Sequence, residues 1–192
     1  EYRTLLRGDN ADIRLTPLAH SLGTVGDEAL WRVEKKVRQS EELVAFFRDF
    51  SVTPQQTQAL LESKNSALLS QGCKADRVLA RPNISMEDMR KTFPTLDRFI
   101  GENSIGPDAV EQAGIYIKYE GYIEKEKENV RKLARLENVV IPEGFDFMKI
   151  QSISIEARQK LEKVQPKNIA QASRISGVSP ADISVLLIFL GR

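Results

Sequence analysis

Histidine and cysteine, which supply most metal sites and many catalytic nucleophiles, are almost absent from this sequence. Its 192 residues include one histidine, His20, and one cysteine, Cys73. A single histidine excludes metal sites built from several histidines and argues against a Ser-His-Asp relay. A single cysteine cannot form an internal disulfide, which fits a reducing cytoplasm. We therefore expect no catalytic residues and no metal ligands in this chain.

Glycine-rich phosphate loops and long apolar runs are also missing. No GxGxxG or Walker-type pattern occurs among the 11 glycines, so the sequence offers no recognisable cradle for a nucleotide or a flavin. No apolar run is long enough to cross a bilayer. The net charge is only +1, so any basic binding surface must be local. We expect no cofactor site in this chain, no membrane partner and a cytoplasmic location.

What the sequence does contain is helical periodicity with clear start and stop signals. Hydrophobic residues make up 41% and charged residues 29%, enough for one substantial core or two small ones. No alternating stretch is long enough to indicate a sheet, so the predicted fold class is all-α. The starts and ends of the expected helices follow from Ser, Thr, Asp, Pro and Gly. We expect helices at 16–22, 28–49, from 53 onward, at 76–80, 85–91, 108–136, 154–164, 168–176 and 180–190.

The longest predicted helix, residues 108–136, dominates the first part of the chain. Apolar residues at three- and four-residue spacing predict a packing seam made of Tyr116, Tyr119, Ile123, Val130 and Leu133. Residues 94–107 are interpreted as a looser connection before this helix. A boundary is predicted in the segment Ile141-Pro-Glu-Gly-Phe. It divides the chain into a multi-helix domain, residues 1–141, and a small C-terminal helical bundle, residues 142–192.

A cassette at residues 169–187 supports two interpretations. It reads as a helix stopped by Gly177 and a second helix started by Ser179 and Pro180. One interpretation is a DNA-binding helix-turn-helix, and the other is a packing or docking hairpin. Recognition helices carry Arg, Lys, Asn or Gln toward base edges, whereas this helix offers Asp182 and then an apolar run. The hairpin is favoured, and a helix-turn-helix regulator using residues 169–187 remains the alternative function.

Three segments together resemble one family, the C-terminal helical region of the tRNA uridine 5-carboxymethylaminomethyl modification enzyme GidA or MnmG. They read EYRTLLRGDNADIRL (1–15), IKYEGYI (117–123) and IAQASRISGVSPADIS (169–184). Their order and separation make the match specific, and it covers essentially the whole sequence. The sequence begins without methionine, within residues that read as helical (2–7), which suggests a fragment whose N-terminal partner domain is missing.

The resemblance implies a function that the residues alone do not specify. Family members have an N-terminal flavin domain that binds FAD, and they act with a GTPase partner, MnmE, on the wobble uridine of certain tRNAs. This chain resembles the tRNA- and partner-binding part of such an enzyme, without a catalytic centre or FAD site of its own. Its expected partners are tRNA, MnmE and its own flavin domain, and homodimerisation of the full-length form is left open.

Three groups of candidate residues follow from this resemblance. The basic and tyrosine side chains of the long helix are candidates for tRNA contacts, and a solvated helix face balanced by glutamates remains the alternative. Polar residues near the start are candidates for the junction with the flavin domain, and the turn of the C-terminal cassette is a candidate for partner docking. The tRNA candidates are Lys118, Tyr122, Lys125, Arg131, Lys132 and Arg135; the junction candidates are Arg3, Arg7, Asn10, Asp12 and Arg14; the docking candidates are Arg174, Ile175, Gly177 and Val178.

Overall fold

The computed structural model describes residues 2–191; Glu1 and Arg192, which belong to the predicted domains 1–141 and 142–192, lie outside the described part. Almost all regular structure is helical, which confirms the all-α prediction. The helices are α1 (Ala11–Ser21), α2 (Asp27–Asp49), α3 (Pro54–Ser63), α4 (Ala75–Leu79), α5 (Met86–Thr92), α6 (Pro94–Glu102), α7 (Pro107–Glu137), α8 (Ile155–Val164), α9 (Ile169–Ser173) and α10 (Pro180–Phe189), with a 3-10 turn at Phe147–Lys149. Two short strands, β1 (Ser51–Val52) and β2 (Cys73–Lys74), pair antiparallel.

Several helices begin where the sequence predicts, because a polar side chain accepts from the first free backbone amides. Thr53 and Gln56 form the expected capping box at the start of α3. Ser179 caps α10, with Pro180 in the first turn. The long helix α7 extends one residue beyond its predicted bounds at each end. Local capping chemistry therefore predicted these elements correctly.

Other elements differ from the prediction for local reasons. Residues 2–7 form turns rather than a helix, and α1 begins at Ala11, so Pro17 lies inside the helix instead of opening it. Residues 94–102 form α6 rather than a loose connection, because Pro94 occupies the first turn and Leu96 and Ile100 are buried. Helix α9 ends at Ser173, several residues before Gly177.

The chain divides into two compact units, Glu1–Glu124 and Lys125–Arg192. The core of the first unit contains Leu43, Phe47, Leu61, Leu79 and Met89, all fully buried. The core of the second unit is separate from it. Its buried members include Phe147, Ile150, Leu161, Ile169 and Leu186.

The division between the units falls inside α7, earlier than the boundary that the sequence pattern predicts at residue 142. Leu136 and Val139 pack against the core of the second unit. The last turns of α7 therefore contribute to the second core, and the contacts divide before the segment Ile141-Pro-Glu-Gly-Phe.

Candidate functional site

Lys118, a predicted tRNA contact, is used inside the first unit. Its ammonium donates hydrogen bonds to the carbonyl oxygens of Ile84, at 2.6 Å, and Arg81, at 2.9 Å. Burial lowers the pKa of Lys118, although the nearby Asp88 carboxylate opposes this shift. The side chain thereby ties α7 to the segment between α4 and α5.

The other four basic candidates of α7 lie in the second unit and are exposed. Among the described residues, none of these four side chains forms a salt bridge within 4.0 Å. They therefore keep their hydrogen-bond donors available to solvent or to a ligand. We call Lys125, Arg131, Lys132 and Arg135 the basic group.

An exposed tyrosine pair lies on α7 within the first unit. Tyr122 is 68% exposed and Tyr119 is 48% exposed. Their ring centroids are 6.3 Å apart, with the planes inclined by 53°. The assignment of Tyr119 to the packing seam was therefore wrong, since Tyr116 and Ile123 are the more buried members. Between the two tyrosines, Gly121 is exposed, and no heavy atom lies within 4 Å of the position a Cβ would occupy there.

The junction candidates satisfy most of their polar groups locally. Arg7 donates to Asp9 at 3.0 Å and to the carbonyl of Thr4. The Arg7 hydrogen bond also holds the pKa of Asp9 below its usual value. Asn10 donates to the carbonyl of Leu5.

Two of the remaining junction candidates, Arg14 and Asp12, also have polar partners within this chain. Arg14 donates to the side-chain oxygen of Asn10 at 2.9 Å. Asp12 pairs with Lys36 of α2 at 3.1 Å. Arg3 is exposed. These contacts hold the start of the chain against α2, and a role in the junction stays a prediction.

The four docking candidates separate into two pairs. Ile175 and Val178 are half-buried and pack against the second core. Arg174 is exposed and pairs with Glu137 at 3.2 Å. Gly177 is also exposed and has a φ of +93°, in the region that favours glycine. Of the four docking candidates, only Arg174 and Gly177 are therefore exposed.

Helix α10 has a buried start and an exposed end. Ile183 and Leu186 are buried, whereas Ile188 and Phe189 are 75% and 58% exposed. Part of the apolar run 185–190 is therefore uncovered. Asp182, at the start of the helix, is buried.

A groove of about 870 Å³ lies between α5, α6 and α7, but its residues do not fit a flavin. Its arginine and lysine are already paired, Arg90 with Asp97 and Lys91 with Glu87. Glu111 adds another carboxylate that would repel a pyrophosphate. No glycine-rich phosphate loop borders the groove, and we derive no flavin chemistry from these residues.

Residues 2–191 contain neither a metal-binding cluster nor a membrane span. No group of three or more His, Cys, Asp or Glu side chains in this range is arranged to hold a metal ion. None of the described helices is both long and apolar enough to span a membrane.

The arrangement described above is that of a helical domain followed by a small helical bundle. Residues 27–127 match the family model for the C-terminal helical domain of the tRNA-modifying enzyme MnmG/GidA, and residues 129–192 match the model for its C-terminal helical bundle. The chain belongs to the MnmG/GidA family, as its C-terminal part.

Individual relatives agree with the family models. The chain is 56% identical over 192 residues to the tRNA uridine 5-carboxymethylaminomethyl modification enzyme MnmG of Flavobacterium johnsoniae and 50% identical to that of Flavobacterium psychrophilum. In both cases the match covers 100% of this chain and 31% of the relative. Aquifex aeolicus GidA, in its form II crystal, superposes with a TM-score of 0.60 at 32% identity, over 97% of this chain and 28% of that chain. The chain thus spans about a third of the length of these relatives.

These observations contradict the DNA-binding interpretation of residues 169–187. Helix α10 contains no Arg, Lys, Asn or Gln that could read a base edge. Its Asp182 and Ile183 are buried within the second unit. The cassette is a packed hairpin of the MnmG/GidA bundle.

Proposed function

We propose that this chain is the tRNA- and partner-binding part of a flavin-dependent enzyme that carboxymethylaminomethylates the wobble uridine of tRNA at C5. The family membership gives the reaction class, and the FAD-binding and catalytic residues are assigned to the part of the longer protein that this chain lacks. We also propose that the enzyme acts in the cytoplasm.

We propose tRNA binding because the basic group is exposed. Phosphate contacts need cations that are not already neutralised, and Lys125, Arg131, Lys132 and Arg135 meet this condition among the described residues. Folded RNA is recognised largely through its backbone and shape, so a row of such cations suits it. Lys118 is left out of the proposed contacts because its ammonium caps two carbonyl oxygens.

The tyrosine pair adds a second kind of contact to the proposal. Unpaired bases stack on exposed aromatic rings, and each such contact contributes about 1–3 kcal/mol. Tyr122 was a candidate from the sequence, and Tyr119 joins it because nearly half of its surface is exposed. Gly121 lies between them without a side chain that would keep a ribose-phosphate backbone at a distance.

The test compares two fourfold alanine variants with the same loss of charge. Replacing the basic group should weaken binding of unfractionated tRNA and reduce the log–log salt slope by roughly 0.7–0.9 for each phosphate that is no longer neutralised. The control replaces four exposed basic residues elsewhere, namely Arg38, Arg77, Arg98 and Lys163. Equal weakening by both variants would mean that only net charge matters, and no weakening by the first would overturn the proposed contacts.

Stacking is tested separately from charge. Tyr122→Leu keeps apolar bulk but removes the aromatic ring, so it should weaken tRNA binding by about 1 kcal/mol or more. The salt slope should stay unchanged because no cation is removed. A normal affinity in both Tyr122→Leu and Tyr119→Leu would remove the tyrosine pair from the proposal.

We further propose that the second unit docks the GTPase partner, MnmE, through its exposed apolar residues. Exposed apolar side chains next to one another mark interfaces more often than chance surface positions do. Ile188 and Phe189, at the end of α10, are the exposed members of the run 185–190, and we add them to the docking candidates. Ile175 and Val178 support the turn from beneath, since they pack on the core.

A pull-down with the purified GTPase separates docking from folding. The double variant Ile188→Ser/Phe189→Ser should lose the partner and keep its helical circular dichroism, because both side chains are already exposed. Ile175→Asp should instead lower the free energy of unfolding, because the new charge would enter a packed site. Undiminished capture of the GTPase by the double variant would contradict docking at this surface.

A further inference from the structure

Helix α1 contacts α2 along its length, but it buries no side chain fully. None of its 11 residues is fully buried, and Pro17 lies inside it. Proline removes a backbone hydrogen bond from a helix interior, and an isolated helix of this length is marginal in water. Helices in proteins are held mainly by packing of an apolar face. Among the described residues, α1 packs on α2 only through half-buried positions, and it has no buried apolar face.

Two leucines of α1, and the leucine that follows its last residue, lie on the side that faces solvent. Leu15, Leu18 and Leu22 follow one another at three- and four-residue spacing and are 53%, 58% and 70% exposed. The positions on the other side, such as Ile13 and Thr16, are half-buried. Because a surface helix normally buries its apolar stripe, the exposed leucines indicate a surface that another structure covers.

Polar contacts at both ends of α1 hold this surface in a fixed orientation on α2. Lys36 pairs with Asp12 at 3.1 Å, and His20 Nε2 lies 2.7 Å from Asp27 Oδ1. One turn after Asp27, Trp31 is 58% exposed, with the Lys35 ammonium 5.1 Å from its ring centroid. The exposed apolar residues therefore lie on two helices, α1 and α2, that polar contacts join to each other.

The family match indicates what covers these residues. The family model for the helical domain matches from residue 27, so α1 precedes the matched segment, although the relatives match the whole chain. This chain makes up 31% of the F. johnsoniae relative. We propose that Leu15, Leu18, Leu22 and Trp31, the N-terminal apolar face, dock onto an apolar surface of the part of the longer polypeptide that this chain lacks. This contact is separate from tRNA and GTPase binding.

The proposal differs from the junction suggested by polar residues. Arg7, Asn10 and Asp12 already have partners within this chain, so they offer few free groups to another domain. Leucine and tryptophan side chains gain free energy when they leave water, and they need no specific polar partner. The N-terminal apolar face is thus the better interface.

Hydrogen exchange of the α1 amides tests the proposal. This chain is compared with a full-length chimera in which it is joined to the preceding part of the F. johnsoniae MnmG. The α1 amides should exchange at least tenfold more slowly in the chimera, because docking adds the packing that α1 lacks. Replacing Leu15, Leu18 and Leu22 together by serine should abolish this difference. The matched control is Leu68→Ser, at a leucine that is 54% exposed outside α1, and it should preserve the difference.

Two results would overturn the proposal. The first is that the α1 amides exchange at the same rate in the chain and in the chimera, or that they still exchange slowly in the chimera after the three leucines are replaced. The other is a dimer of the isolated chain, seen by sedimentation, that the triple replacement dissociates, because the occupant would then be a second copy. tRNA binding by the triple variant, measured in parallel, should be unchanged, so failure here is distinguishable from failure of the proposed function.

Discussion

The two compact units use the same helix-capping box, but the aspartate of each box holds a different second partner. In the first unit, one oxygen of Asp88 accepts from the Ser85 amide at 2.9 Å and from the Ser85 hydroxyl at 2.6 Å. The other oxygen lies 2.8 Å from the ammonium of Lys64. A cation therefore links the start of α5 to the end of α3.

In the second unit, the box at the start of α10 binds a backbone amide instead of a cation. One oxygen of Asp182 accepts from the Ser179 amide at 2.8 Å and from its hydroxyl at 2.6 Å. The other oxygen accepts from the amide of Ser154, the N-cap residue of α8, at 3.0 Å. One local motif can thus join two helices by an ion pair or by a charge-assisted hydrogen bond, and the two links should respond differently to mutation and salt.

Asp182→Ala should be the more damaging of the two replacements. It removes a buried cap and leaves the Ser154 amide without its acceptor, so the free energy of unfolding should fall by about 2–3 kcal/mol. Urea unfolding followed by circular dichroism measures the loss. Glu143→Ala, at an exposed position of the same unit, should change stability by less than about 0.5 kcal/mol. If the free energy of unfolding fell no more than in Asp88→Ala, Asp182 would not be the more important of the two aspartates.

Asp88→Ala should cost less, about 1–2 kcal/mol, because Lys64 remains partly solvated after its partner is removed. A double-mutant cycle with Lys64→Ala isolates the ion pair. The coupling should shrink between low salt and about 1 M salt, since ions screen a partly exposed pair. The effect of Asp182→Ala serves as the control and should depend little on salt. A salt-independent Asp88–Lys64 coupling would rule out the ion pair as the source.

Acid should weaken both links. Hydrogen bonds from Lys64 and Ser85 hold the pKa of Asp88 at about 2, below the ordinary 3.8, and the Ser179 hydroxyl lowers the pKa of Asp182 despite burial. Each folded-state pKa lies below the unfolded value, so the unfolded chain binds more protons as the pH falls. For Asp88 the stabilisation is therefore complete above about pH 4–5 and is lost as the pH falls toward about 2, and the contribution of Asp182 is likewise lost on acidification.

Urea unfolding at a series of pH values measures this loss. Asp88→Asn, which cannot titrate, should remove about 1 kcal/mol of the acid dependence between about pH 4 and 2. Asp97→Asn, at an exposed carboxylate, is the control. If the free energy of unfolding of Asp88→Asn fell with pH as much as that of the unmodified chain, protonation of Asp88 would not be the cause of the acid sensitivity.

The capping boxes also show how far sequence reasoning extends. Ser179-Pro180 and the Thr53/Gln56 pair predicted helix starts correctly, because capping depends on residues only a few positions apart. The second partners of the aspartates come from residues that are distant in sequence. Ser154 contacts Asp182 only after α8 and α10 pack together, so no local pattern could have identified it.

The surroundings of the candidate site residues also depend on residues distant in sequence. Lys118 and Lys125 were both tRNA candidates, but only the folded unit brings carbonyl oxygens to Lys118. Spacing also assigned Tyr119 to the seam, whereas the neighbouring elements leave it exposed. One missed element did have a local signal. Pro94 followed by Leu96 and Ile100 is a helix start with a buried stripe, and it could have predicted α6.

The smallest expected effect concerns Gly121 in the first unit, in contrast with Gly177 in the second. Gly121→Ala should raise the free energy of unfolding by about 0.5–1 kcal/mol, because the new methyl group meets nothing within 4 Å in a helix where glycine is unfavourable. Gly177→Ala should lower it, because φ is +93° and the methyl carbon would lie 2.5 Å from Glu156 Oε1. Thermal unfolding of both variants measures the signs.

Binding of tRNA to Gly121→Ala then tests why a glycine is present at this exposed helical position. If the bare backbone serves tRNA contact, the variant should be more stable and yet bind tRNA more weakly than the unmodified chain. Gly101→Ala, at a helical glycine that likewise has nothing within 4 Å, is the matched control and should leave tRNA binding unchanged. Greater stability with unaltered binding would show that the glycine is not needed for the proposed contact, whereas lower stability would contradict the open surroundings of Gly121.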